Sequence, residues 1–151
     1  MIELLVKYFN QLAGGFLAAC FTAFLVWRHY LKSRKIQASD RFRTVLLNEL
    51  KELYPEGIYS VSSAEVRRIL KGSHPKISNA VIEYSDHVKD KYGFQSAWDD
   101  FSGINMHRDI GEEPRYMHYT LTSHVGNDFY SEPRKQFIKD VEKLLSHTIK
   151  T

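Results

Sequence analysis

Residues 14–35 read GGFLAACFTAFLVWRHYLKSRK, an apolar run that ends in a cluster of basic residues. The run belongs to a longer stretch, residues 8–27, in which none of the twenty side chains is charged. Twenty residues of α-helix rise about 30 Å, which matches the hydrocarbon thickness of a bilayer. A buried helix of a globular protein rarely ends in so dense a basic cluster. The pattern therefore predicts a transmembrane helix over residues 8–27.

The C-terminal boundary of this run has the composition of a membrane interface. Trp27 and Tyr30 stand where an aromatic belt is expected. The basic residues that follow, opposed only by Asp40, are Arg28, Lys32, Arg34, Lys35, Arg41 and Arg43. Because positive charge is retained on the cytoplasmic side, we expect a single-pass inner-membrane protein with its N-terminus outside and its C-terminal domain in the cytoplasm. The membrane-interface residues assigned from this pattern are Trp27, Arg28, Tyr30, Lys32, Arg34 and Lys35.

The basic cluster has two interpretations, and the sequence leaves both open. It can set the orientation of the chain in the lipid bilayer, and it can contact anionic lipid headgroups, at about 1 kcal/mol per basic residue near the surface. The net charge of the whole chain is only +3. Because the positive charge lies beside the apolar run and not on the folded domain, no nucleic-acid partner is expected.

A lipoprotein is the alternative interpretation of the same run. Residues 17–20 read LAAC, the form of the sequence that is cut before a lipid-modified cysteine. The apolar run continues past Cys20 to Trp27, which favours an uncut helix over modification at Cys20. Since Cys20 is the only cysteine, the chain has no internal disulfide and no thiolate metal cluster.

The apolar run also contains a possible helix-packing face. Gly15, Ala19 and Ala23 recur every four residues. Small residues at this spacing let two membrane helices approach closely. The spacing predicts a homo-oligomer that forms through the transmembrane helix, with Gly15, Ala19 and Ala23 as its helix-packing residues.

The rest of the chain predicts a mostly α protein with one soluble domain. We expect four to five helices there, with residues 115–124 open between a short strand and an extended loop. The predicted organisation is a short N-terminal tail over 1–7, the transmembrane helix over 8–27, a basic juxtamembrane linker over 28–39 and a cytoplasmic helical domain over 40–151. The linker is expected to be helical and to continue the membrane helix.

Periodic apolar residues and helix-terminating residues locate the helices of this domain. Two helical stripes of apolar residues are expected to face its core: Phe42, Val45, Leu46, Leu50 and Leu53 in the first helix, and Phe137, Val141, Leu144 and Leu145 in the last. Ser62 or Ser63 is expected to cap a helix that Gly72 ends, His74 to lie at the N-terminus of the next helix, and Gly93 to end that one. Residues 58–61 are expected to be extended. Trp98 and Phe101 are assigned to the core because large aromatics at helical spacing usually pack there. The predicted helices cover about 40–54, 64–71, 75–91, 94–101 and 132–149.

No strong catalytic motif is present in the sequence. His107-Arg108-Asp109 resembles the start of a kinase catalytic loop, but Pro114 stands where that loop requires asparagine. We therefore assign no catalytic, cofactor-binding or metal-binding residue, and we expect a non-catalytic interaction or assembly module, which binds a protein partner or assembles with itself.

The alternative is a membrane-anchored metal-binding or hydrolytic domain that uses the loop from His107 to Asp128. Imidazole and carboxylate groups together can bind a divalent ion. Their spacing in this loop matches no compact ligand motif. The candidate side chains are His107, Asp109, Glu112, Glu113, His118, His124 and Asp128.

Residues 42–101 resemble a diffuse group of small uncharacterised bacterial single-pass membrane proteins. Those proteins have a membrane helix, a basic linker and a segment of the form F-R-x-x-[FL]-x-x-E-L-x-x-L, followed by Ala-Val, a Glu-aromatic pair and Ala-Trp. The resemblance implies a bacterial source and a helical cytoplasmic domain, and it implies no activity. The matching residues are Phe42-Arg43, Glu49-Leu50, Leu53, Ala80-Val81, Glu83-Tyr84 and Ala97-Trp98.

Overall fold

A computed structural model describes residues 2–103, 116–120 and 131–149, with the side chains of residues 2–13, Met117 and Ser131 outside that description. The chain divides into unit 1, Met1–Ile36, and unit 2, Gln37–Thr151. The predicted mostly α class is confirmed, and no strand is present among the described residues. The elements are α1 (Ile2–Glu49), a 3-10 turn (Gly57–Tyr59), α2 (Ser63–Ser85), α3 (Lys91–Ser102), a second 3-10 turn (Met117–Tyr119) and α4 (Ser131–Ser146).

Helix α1 contains the whole predicted membrane segment and the basic linker. The expectation that residues 28–39 continue the helix is confirmed, because α1 is unbroken from Ile2 to Glu49. In the described part of the chain, no helix reaches the length and apolar character required to cross a membrane. The structure thus shows the helix but not the membrane crossing.

The core of unit 2 begins on the last turns of α1. Phe42, Leu46 and Leu50 are buried on one face, and Leu53 follows them in the turn after the helix. This is the stripe expected from the i, i+4 spacing of large apolar residues. The aromatic ring of Phe42 stacks on Tyr84 at a centroid distance of 5.1 Å. The C-terminal part of α1 is therefore an integral core element of unit 2.

Helix α2 corrects the predicted break between two helices. Gly72 does not end a helix and His74 does not begin one, because α2 continues through both, and through Pro75, to Ser85. Proline in a helix interior removes one backbone hydrogen bond. Packing outweighs that loss, since the buried face is uninterrupted and Ser73 donates its hydroxyl to the Glu49 carbonyl oxygen at 3.2 Å. The N-cap was predicted correctly: the Ser62 hydroxyl accepts from the Glu65 amide.

The segment before α2 is a 3-10 turn, and the extended conformation expected for residues 58–61 is wrong. A Cβ atom at Gly57 would overlap the Glu52 carbonyl oxygen, so the chain comes too close to itself there for a side chain. Ile58 is fully buried. The Arg134 guanidinium of α4 donates to the carbonyl oxygens of Tyr59 at 2.9 Å and Val61 at 3.1 Å. Long-range contacts therefore determine the conformation of this segment.

Helix α3 confirms the predicted core helix and corrects the role of Gly93. Gly93 lies in its first turn and donates its amide to the Asp90 carboxylate at 2.9 Å, so it helps to begin a helix and does not end one. Gly103 ends α3 in the left-handed conformation, with φ of 74°. Trp98 and Phe101 are buried, as expected.

Helix α4 closes the core with Phe137, Val141 and Leu144, which are fully buried as predicted. Residues 147–149 return to the start of unit 2: the Ile149 amide donates to the Ser39 hydroxyl at 2.8 Å. Of the segment predicted as strand or extended loop, the structure describes only residues 116–120, which contain the 3-10 turn Met117–Tyr119. The remaining residues of that prediction lie outside the described part.

Candidate functional site

The described side chains of unit 1 are mainly apolar and exposed. The exposed fractions are 71% for Phe16, 63% for Phe21 and 61% for Trp27. These residues and their neighbours lie on every side of α1, because consecutive helical residues are 100° apart. A helix that is apolar on all sides is normally buried in a large core or in a membrane. The exposed large apolar residues of this segment are Phe16, Leu17, Phe21, Phe24, Leu25, Val26, Trp27, Tyr30 and Leu31.

Basic side chains follow directly on the same helix. Arg28, Lys32 and Lys35 are exposed and share one face, since they are spaced at i, i+4 and i+7. Arg34 lies on another side, where its guanidinium carbon is 5.7 Å from the centroid of the Tyr30 ring. That distance is within the range of a cation–π contact. The structure thus places all six predicted membrane-interface residues within one exposed stretch of α1.

The helix-packing residues Gly15, Ala19 and Ala23 lie on one face of α1 and are exposed. A Cβ atom at Gly15 would meet nothing within 4 Å. This face has the low relief that close helix packing requires. Self-association through it stays a prediction.

Cys20 lies within α1 and its side chain is exposed. Thr22, two residues further on, donates its hydroxyl to the Ala18 carbonyl oxygen at 2.9 Å, a bond within the helix itself. Lipid modification of Cys20 stays an alternative prediction.

The most buried polar contact of unit 2 joins the Met117–Tyr119 turn to α4. The Tyr119 hydroxyl donates to Asp140 Oδ2 at 2.7 Å, and the Gln136 amide donates to Oδ1 of the same carboxylate at 2.8 Å. Asp140 is only 4% exposed. Burial raises the pKa of Tyr119 well above its ordinary value, and the adjacent Asp140 carboxylate raises it further. Tyr119 therefore acts as a protonated donor that holds the turn on α4.

A second polar contact joins Tyr116, the residue before the same turn, to α2. His74 Nδ1 and the Tyr116 hydroxyl are 2.7 Å apart, and the His74 ring stacks on Trp98 at 5.5 Å. Tyr116 is fully buried with φ of 65°, a left-handed conformation that is uncommon for residues other than glycine. The sequence did not indicate this contact, because the two partners are 42 positions apart. The one signal in the sequence was the position of His74, which follows the helical spacing of the buried residues of α2.

The predicted metal-binding loop is described only at its middle. His118 is half-buried, both its ring nitrogens are buried, and its ring centroid is 3.7 Å from that of Tyr119. The other candidates of that loop, His107, Asp109, Glu112, Glu113, His124 and Asp128, lie outside the described residues. Within the described ranges, no three His, Cys, Asp or Glu side chains are grouped so that they could hold a metal ion.

Two surface ion pairs of unit 2 join different helices. Lys76 of α2 bonds to Glu49 of α1 at 2.8 Å, and Lys143 of α4 bonds to Asp100 of α3 at 2.7 Å. Exposed pairs of this kind add up to about 1 kcal/mol each. These two pairs join neighbouring helices.

Comparisons with known proteins add no family to this description. No protein-family model, no curated protein and no solved structure matches the chain.

Proposed function

We propose that this chain is a single-pass membrane protein in which residues 8–27 cross the lipid bilayer and unit 2 is a cytoplasmic module that binds a protein partner without catalysing a reaction. The observation that carries the proposal is the exposed apolar surface on all sides of α1 between Phe16 and Trp27. Removing one large apolar side chain from water is worth about 1.5–3 kcal/mol. A bilayer covers all sides of such a helix at once.

The length of the apolar run supports a complete crossing. The run without charge begins at residue 8, and the side chains of residues 8–13 lie outside the described part of the structure. Counted from residue 8 to residue 27, the helix has the roughly 20 residues that a bilayer core requires.

The distribution of charge supports the orientation. Unit 1 has five basic residues and one acidic residue, a net charge of +4, and four of the five basic residues follow Trp27. Because the whole chain is +3, unit 2 has a net charge of −1. Basic residues concentrated at the C-terminal side of the helix favour a cytoplasmic unit 2. Together with the resemblance of residues 42–101 to bacterial proteins, this favours an inner membrane.

The contacts that polar side chains make within unit 2 support its role as an interaction module. Its buried polar side chains link core elements: Tyr119 and Asp140 join the second turn to α4, and His74 contacts Tyr116. Arg134 in turn holds the first 3-10 turn. A protein partner for unit 2, or self-association through Gly15, Ala19 and Ala23, would give such a module its function.

Two measurements on the expressed full chain test the proposal. The first is flotation of membranes through a density gradient after an alkaline carbonate wash, in which we expect the chain to float with the lipid. The second uses reporters that are active on only one side of the membrane, fused after Thr151. We expect activity from the cytoplasmic reporter alone. A chain that the wash releases, or a C-terminus outside the cytoplasm, would overturn the proposal.

A further inference from the structure

We infer that α1 binds the phosphodiester headgroups of anionic phospholipids through a basic collar, defined as Arg28, Lys32, Arg34 and Lys35. This inference rests on the proposed membrane crossing and extends it from the apolar core of the bilayer to the chemistry of its surface.

Among the described residues, no acidic side chain is paired with a charge of the collar. In unit 2, by contrast, Arg41 pairs with Glu83 and Lys143 with Asp100. The collar therefore gathers, within eight residues of one helix, four positive charges that are in no ion pair with a described residue, and an anionic surface is its complement.

The height of the collar along α1 matches the headgroup layer. Trp27, at the end of the apolar run, marks the level of the interface. Lys32 follows after about 7.5 Å of helix rise and Lys35 after about 12 Å. The polar layer on each side of the hydrocarbon is about 5–8 Å thick. Arg28 and Lys32 therefore lie at phosphate level, and the long side chain of Lys35 can extend back to it.

The collar presents cations to more than one side of the helix. Arg28, Lys32 and Lys35 occupy one face, whereas Arg34 is held over the exposed ring of Tyr30 on another side. A flat or grooved macromolecule such as a DNA duplex would contact one face of α1. Headgroups in a bilayer surround the helix, so they can contact every cation of the collar. The observed arrangement favours lipid over nucleic acid.

Quenching of Trp27 fluorescence by brominated lipid tests the inference on the full chain. The protein is reconstituted in phosphatidylcholine vesicles that contain a fixed fraction of phosphatidylglycerol, and either the neutral or the anionic lipid is brominated. Trp98 is buried in unit 2 and supplies a constant background. We expect stronger quenching by brominated phosphatidylglycerol, with a relative association constant of about 5, the factor for one basic residue near an anionic surface.

Two triple variants test whether the lipid preference depends on the collar or only on the total positive charge of the protein. Arg28→Gln, Lys32→Gln and Lys35→Gln together should lower the relative association constant towards about 1, because three of the four collar charges near the headgroups are lost. The control removes the same amount of charge from exposed positions of unit 2, at Lys51→Gln, Lys71→Gln and Lys89→Gln, and should keep the preference. Equal quenching by the two lipids in the original chain, or a preference that survives the collar variant, would overturn the inference.

Three further results distinguish a lipid headgroup from free phosphate and from DNA as the bound anion. They also distinguish failure of this inference from failure of the proposed membrane crossing. Millimolar inorganic phosphate should leave the lipid preference unchanged. Loss of the lipid preference in phosphate would show a site for free phosphate instead. Retention of a DNA duplex that depends on the collar, without any lipid preference, would also overturn the inference. If neither brominated lipid quenches Trp27, α1 is not in the bilayer and the proposed function itself fails. Equal quenching by both refutes only the lipid preference.

Discussion

Phe21 and Phe42 are the same residue type on the same helix, and they have opposite surroundings. Phe21 in unit 1 is 63% exposed, and Phe42 in unit 2 is 1% exposed, stacked on Tyr84 and edge-on to Phe94. The difference is one of sequence pattern. Residues 14–27 are apolar on all sides of the helix, whereas residues 40–50 restrict their large apolar residues to one stripe. A one-sided stripe builds a core within the chain, and a surface that is apolar on every side requires a cover from outside it.

The largest expected effect is a difference between these two phenylalanines. Phe42→Ala should lower the unfolding free energy of unit 2 by about 3–5 kcal/mol, because it removes a fully packed ring and leaves a cavity. Phe21→Ala, the matched control, should change it by less than about 0.5 kcal/mol. Urea unfolding of the full chain in detergent micelles, followed by near-ultraviolet circular dichroism, measures both. Equal losses for the two variants would contradict the separation into two units.

The stripes of unit 2 show what the sequence can predict. Phe42, Leu46 and Leu50 on α1, and Phe137, Val141 and Leu144 on α4, repeat with the helical period and are buried as expected. Local spacing is sufficient here, since one-sided apolar periodicity specifies both the helix and the face it buries.

Helix α2 shows where local signals misled the prediction. Gly72 and Pro75 both indicate a helix end, yet the buried stripe continues through them from Leu70 to Ser73 and Ile77. Apolar periodicity is incomplete at Ser73, whose hydroxyl bonds to the Glu49 carbonyl oxygen. Tertiary packing outweighed the helix-breaking propensity of two residues, and local sequence does not include that contribution.

The polar contacts of the Met117–Tyr119 turn could not be predicted at all. Tyr116 meets His74, and Tyr119 meets Asp140 at a distance of 21 positions along the chain. Nothing in the spacing of these residues encodes the pairing. The left-handed backbone of Tyr116 is equally unpredictable, because glycine is the residue that normally marks that conformation.

The next largest effect tests the buried hydrogen bond of unit 2. Tyr119→Phe should lower the unfolding free energy by about 1–3 kcal/mol, because the buried Asp140 carboxylate loses a donor. Tyr92→Phe, at a side chain that is 92% exposed, is the matched control and should cost less than about 0.5 kcal/mol. Chemical denaturation of the two variants at neutral pH measures the difference. A cost for Tyr119→Phe no greater than that of the control would show that the bond adds nothing.

The same residue predicts a dependence on pH. Because the folded-state pKa of Tyr119 is raised, its contribution is fully present below the unfolded-state pKa of about 10 and is lost as the pH rises above it. Between those two pKa values, one proton retained only by the folded chain lowers the unfolding free energy by about 1.4 kcal/mol per pH unit. We expect Tyr119→Phe to remove this part of the alkaline slope. An identical slope in the variant would contradict the assignment.

The smallest expected effect concerns two glycines with opposite backbone requirements. Gly103→Ala should cost about 1–2 kcal/mol for the left-handed backbone, and its Cβ would also lie 2.9 Å from the His118 ring. Gly72→Ala, in open space within α2, should instead stabilise unit 2 by about 0.5–1 kcal/mol. Thermal unfolding of the two variants should shift in opposite directions. A loss of stability in Gly72→Ala would contradict the continuous α2.

The central claim, that lipid covers the exposed apolar surface of unit 1, is tested most directly by the reactivity of Cys20, the only cysteine. The probe is a water-soluble maleimide applied to membranes from cells that express the full chain, and Ser96→Cys in a Cys20→Ser background gives the exposed reference on α3. We predict that Cys20 stays unlabelled until denaturing detergent is added and then reacts fully, whereas the reference reacts at once. Labelling of Cys20 in intact membranes at the rate of the reference would contradict the claim, and a Cys20 that does not react even after denaturation would indicate the lipoprotein.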